Sequence, residues 1–157
     1  MEKMILAGLM LITGTSFAAT SADLVITGFI TAVSDLVIVA NANATTLNII
    51  GGETSKLVAL VTETSNNLTG YQILMRSANS SKLVNSLNPS KSADYKISYD
   101  GGAELSLSRA DVSVKNVSTL PSLTTVSSGV NVSVIPYATA PAGTYSDTIT
   151  ISIIANN

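Results

Sequence analysis

The side chains that could do chemistry are few and scattered. Beyond the amino terminus the acids are Asp23, Asp35, Glu53, Glu63, Asp94, Asp100, Glu104, Asp111 and Asp147. Glycoside cleavage needs two carboxylates facing each other across a bond, and nothing in this spacing pairs any two. They fall in turns and on polar strand faces, so they read as solvated surface. Asp100-Gly-Gly102 lacks the alternating oxygen ligands of a calcium loop and reads as a turn. Serine stands next to lysine at Ser55-Lys56, Ser81-Lys82 and Ser90-Lys91, never in the Ser-x-x-Lys spacing, and no Gly-x-Ser-x-Gly elbow occurs. The chain has no cysteine and no histidine. Thiol nucleophiles, imidazole bases, disulfides and ordinary zinc sites are therefore excluded. The expectation is a protein with no catalytic residue, no metal and no cofactor.

Composition narrows the remaining classes. With 157 residues there is room for one domain. A net charge of −2, with only 11% charged residues, gives no footprint for a nucleic-acid backbone. Ser, Thr and Asn make up about a third of the chain, interleaved with Val, Ile, Leu and Ala, which suits half-buried pleated surfaces. Aromatic residues are only 4%, so the expected core is aliphatic and thin.

The elements follow from the hydrophobic period. Residues 1–18 read as a secretory signal peptide: Lys3, an apolar run from Ile5 to Ile12, and a small-x-small ending at Ser16 and Ala18. Beyond it the alternation is period two. Strands are expected at Leu24–Val33, Leu36–Ala40, Thr46–Ile50, Lys56–Thr62, Gly70–Arg76, Ala93–Tyr99, Val130–Ile135 and Thr144–Ile153. A hairpin is expected where Asp100-Gly-Gly102 joins Ala93–Tyr99 to Ala103–Ser108. Turns are expected at Gly51-Gly52, Ser65–Asn67, Asn88-Pro89, Pro121-Ser122, Ser127–Gly129 and Pro141–Gly143. Short strands without intervening helices make an all-β, immunoglobulin-like β-sandwich.

One segment departs from this plan. Leu24, Ile26, Gly28, Ile30 and Ala32 share one parity, and Val25, Thr27, Phe29, Thr31 and Val33 share the other. Both faces are largely apolar, although the segment lies near a chain terminus. Such a strand is either central in its own sandwich or leaves to complete a neighbour's sheet. In the second case Gly28 marks a close approach to another backbone.

Gly70-Tyr-Gln-Ile-Leu-Met-Arg-Ser-Ala-Asn-Ser-Ser-Lys-Leu83 and Tyr95-Lys-Ile-Ser-Tyr-Asp-Gly101 resemble the central strands of bacterial chaperone–usher pilus (fimbrial) subunits. The nearest groups are the archaic spore-coat-U-like subunits and the class 5 fimbrillins. Pro141-Ala-Gly-Thr-Tyr-Ser-Asp-Thr-Ile-Thr-Ile151 resembles their closing strand. The resemblance implies an incomplete sandwich completed by donor-strand exchange. Residues 19–33 would be the donor extension and residues 34–157 the pilin domain. Leu24, Ile26, Gly28, Ile30 and Ala32 would be the donor residues. Leu36 and Ile38, with Ile149, Ile151 and Ile153, would line the acceptor groove. The implied partners are identical or related pilus subunits, a periplasmic chaperone and an outer-membrane usher, with export through the periplasm to a fimbrium at the cell surface. Head-to-tail contacts of this kind give an open filament.

The alternative is a self-contained secreted β-sandwich, an adhesive or carbohydrate-binding module. Sugar binding calls for exposed aromatic faces. Trp is absent, and Tyr71, Tyr95, Tyr99, Tyr137 and Tyr145 fall mostly in strand patterns that suit packing.

Overall fold

The computed structural model describes residues 22–157 and divides the chain into two units, Met1–Ile30 and Thr31–Asn157. The expected signal peptide, and residues 19–21 of the expected donor extension, lie outside the described residues. In the first unit, residues 22–30 form neither helix nor strand, and the strand expected at Leu24–Val33 is not formed.

The second unit is an all-β sandwich of two antiparallel sheets. Its strands are β1 (Ser34–Ala40), β2 (Glu53–Ser65), β3 (Tyr71–Ser77), β4 (Lys82–Asn85), β5 (Ser92–Tyr99), β6 (Val112–Val117), β7 (Thr124–Val134), β8 (Tyr145–Ser146) and β9 (Ile149–Ala155). One sheet has six strands in the order β1-β2-β7-β5-β4-β8, and the other has three in the order β6-β3-β9. Inward residues of both sheets meet in one core, with Val61, Ile73, Met75, Ile97 and Val132 buried. The core is not purely aliphatic: Tyr71, Tyr95 and Tyr99 are only 2–3% exposed.

At several places where the sequence pattern and the backbone part, a polar side chain has taken over a backbone group. Thr46–Ile50 is not a strand but part of a loop that follows a short 3-10 turn, Ala42–Thr45. Asn41 Oδ1 accepts from Asn43 N, Asn43 Nδ2 donates to the Leu57 carbonyl, and Asn48 Oδ1 accepts from Gly51 N. Asparagines that bond locally compete with ladder pairing. Leu47 and Ile49 still pack on the core from this loop. The expected second hairpin strand shrinks to one bridge, Ile97–Leu105. Beyond it Leu107 N donates to Ser81 Oγ and Ser77 N to the Ser108 carbonyl, drawing the chain to the other side of the sandwich.

Ser127–Gly129 is no turn; it lies inside β7, opposite Thr62, Val61 and Leu60. Small residues fit there because a Cβ on Gly129 would sit 3.2 Å from Leu57 Cδ1. The strand expected at Thr144–Ile153 breaks at Asp147-Thr148. β8 then pairs with β4 in one sheet and β9 with β3 in the other. Asp147 forms the corner: its carboxylate accepts from Ser77 Oγ, Tyr95 OH, Asn79 N and Thr148 N at 2.5–3.0 Å. Gly70 opens β3 with φ +79°, where a Cβ would collide with the Val117 carbonyl at 1.8 Å.

Candidate functional site: two sheet edges and a buried carboxylate

Among the described residues, β1 is an edge of the six-stranded sheet and β9 an edge of the three-stranded one. The two come close to each other but share no ladder pairing. Residues directly opposite in an antiparallel pair share a face. Leu36 and Ile38 lie opposite Glu63 and Val61, both fully buried, so they point inward. Ile149, Ile151 and Ile153 lie opposite Ser77, Met75 and Ile73, also fully buried. Yet these five residues are not themselves buried. Ile38 is 47% exposed on the core side of its strand, and the other four are only partly covered. Burial stops at the seam.

The backbone adds a second feature. Asn66 N donates to the Val33 carbonyl and Asn41 N to the Val58 carbonyl, so the odd-numbered residues of β1 bond toward β2. Antiparallel pairing alternates. The N–H and C=O groups of Leu36 and Ile38 therefore face the free edge. On β9, Ala78 N donates to the Thr148 carbonyl and Asn156 N to Gly70, so the even-numbered residues bond toward β3. The main-chain groups of Ile149, Ile151 and Ile153 accordingly face the other free edge. All five expected groove residues thus combine an inward apolar side chain with outward ladder groups. Beyond Ile149 the core opens into a cavity of about 150 Å³ lined by Leu47, Val58, Leu83, Tyr95 and Val132 among others.

In the first unit, Leu24, Val25, Ile26, Phe29 and Ile30 are 82–88% exposed. Among the described residues, a Cβ on Gly28 would meet nothing within 4 Å. Ala32 lies in the second unit, between two residues held by Asn66. Val33 N donates to Asn66 Oδ1 at 2.7 Å, and Asn66 Nδ2 donates to the Thr31 carbonyl at 2.9 Å.

One acid overturns the solvated reading. Glu63 is fully buried in a network that ties the two sheets together. Tyr71 OH on β3 donates to Oε2 and Tyr99 OH on β5 to Oε1, each at 2.6 Å. Lys115 Nζ on β6 lies 3.2 Å from the carboxylate, 2.9 Å from Asp100 and 3.0 Å from Ser128 Oγ on β7. Burial opposes ionisation of Glu63, but hydrogen bonds from Ser128, Tyr71, Tyr99 and Lys115 outweigh it and hold the carboxyl below its ordinary range. Both tyrosines are pushed up by burial and by the Glu63 charge. With both oxygens engaged by protein donors, the carboxylate works as a tie between sheets. Asp147 also accepts from several protein donors at its corner but stays only part-buried.

Comparison with protein-family models gives no match, and comparison with curated proteins gives none either.

Proposed function

We propose that the chain is a structural subunit of an extracellular fimbria, polymerising head to tail as each molecule gives its amino-terminal arm to the seam of the next. The observation that carries this reading is the seam: inward isoleucines and leucine left part-exposed between two strand edges that are unpaired among the described residues. The same chain carries an apolar arm, residues 22–30, that joins no sheet. An incoming strand that parts the two edges gains ladder hydrogen bonds on both sides and buries its alternate side chains. Covering the edges also removes the aggregation hazard of exposed apolar strands. The resemblance to chaperone–usher subunits supplies the rest of the proposal. A periplasmic chaperone holds the seam during export, an outer-membrane usher passes subunits on, and the product stands at the cell surface. No catalytic step or cofactor is part of this reading.

The self-contained lectin-like alternative has less support. Three of the five tyrosines are buried in the core, where they cannot stack on a sugar.

The test uses the exported protein on a gel without boiling, together with a variant lacking residues 19–30. A ladder that collapses on heating, and capture of a synthetic 19–33 peptide by the shortened variant, are expected. A single monomer band with no peptide capture overturns the proposal.

A further inference from the structure

An arm that fits a neighbour's seam also fits its own, because both belong to the same chain. The arm joins β1 directly, so self-insertion requires a tight reversal through residues 31–34 that lays the arm antiparallel along the free edge of β1. We infer that Asn66 prevents this reversal and so commits the arm to a second copy of this chain; the inference rests on the polymerisation reading above.

Asn66 follows the last residue of β2, where the ladder with β1 ends at Ser34–Ser65. Its side-chain amide has the donor and acceptor of a peptide group. It uses both on the strand opposite, accepting from Val33 N at 2.7 Å and donating to the Thr31 carbonyl at 2.9 Å. Its own backbone N–H donates to the Val33 carbonyl at 3.3 Å. Together these bonds extend the β1–β2 pairing by further rungs and keep Thr31 to Val33 in line with β1. A reversal at these residues must break them. The side chain makes no other hydrogen bond among the described residues, so Asn66→Ala removes the restraint and leaves the core untouched. Asn66→Asp keeps the acceptor for Val33 N and loses the donor to Thr31.

The experiment refolds the full 157-residue chain from denaturant at fixed concentration and sizes the products by chromatography with light scattering. The wild type is expected to form multimers. Asn66→Ala is expected to raise the monomer-to-multimer ratio about tenfold or more, the loss of two modest hydrogen bonds, with Asn66→Asp in between. The Asn66→Ala monomer, its seam filled by its own arm, is expected not to take up added 19–33 peptide. Multimers at the wild-type ratio from Asn66→Ala overturn the inference. So does an Asn66→Ala monomer that still captures the peptide, because its seam is then empty. A wild type that stays monomeric while its 19–30 deletion ignores the peptide removes the polymerisation reading itself, and the inference with it.

Discussion

Glu63 places a charge in the middle of a chain that has no disulfide to join its sheets. Its partners come from β3, β5, β6 and β7, so one carboxylate links both layers. Removing one member of a buried, hydrogen-bonded pair leaves the other unsatisfied, at a cost of about 3–5 kcal/mol. Glu63→Ala is therefore expected to lower unfolding stability by about 3 kcal/mol in denaturant titrations, where Asp111→Ala, on an exposed ion pair with Arg76, is nearly silent. The pH dependence follows from the sign of the shift. Glu63 is held below its ordinary value of 4.5 in the folded state. Its contribution is present above that value and is lost as pH falls through the lower, folded-state value. The stability gap between wild type and Glu63→Gln should accordingly shrink on acidification below about pH 4.5; a gap that widens there contradicts the assignment. Glu63 was legible in part. It has the same parity as Val61, so carrying the strand alternation two residues further puts it on the inward face. Its hydroxyl and ammonium partners were not legible, because they come from four other strands.

At the scale of elements, the seam depends on β9 and β1 ending their sheets. Ile151 points inward opposite Met75, whereas Thr150 points outward opposite Arg76. Ile151→Asp is expected to weaken capture of the arm peptide by at least about 100-fold, the cost of an unpaired charge in an apolar groove. Thr150→Asp, one residue away beside a guanidinium, is expected to leave capture within about twofold. Equal losses from both variants would show that the inward face of β9 is not what the arm meets. The strands that were legible keep the alternation: β3 buries Tyr71, Ile73 and Met75, β5 buries Tyr95 and Ile97, and β9 turns Ile149, Ile151 and Ile153 toward the same core. The misread segments share a different cause. At Thr46–Ile50 asparagine side chains replace the ladder, at Ser127–Gly129 small residues serve packing inside a strand, and at Asp147 a carboxylate turns the chain between sheets. In each case a side chain's bonding or packing decides the backbone, and the apolar alternation carries no trace of it. The shared parity of Leu36 and Ile38, and of Ile149, Ile151 and Ile153, was legible in the alternation. That their main-chain groups also face the open edges depends on strand pairing.

For the molecule as a whole, residues 22–30 and the seam are expected to act as separable parts. A Cβ on Gly28 has nothing within 4 Å among the described residues. Gly28→Val should therefore leave the unfolding midpoint unchanged while reducing multimer yield, and a shifted midpoint would place Gly28 in its own core. A further consequence follows from residues 22–30 belonging to a different unit of the chain from the sandwich that bears the seam. On the proposed reading, a molecule shortened by residues 19–30 can still receive a neighbour's arm but has none to give. Once it has joined a growing chain it ends that chain at one end and leaves the other end free. The protein then behaves as a bifunctional monomer, and its shortened form as a monofunctional stopper. Mean filament length should fall roughly as the inverse of the stopper's mole fraction, measurable by electron microscopy of mixtures at fixed total protein. Lengths that do not depend on that fraction would mean that growth does not pass through the seam.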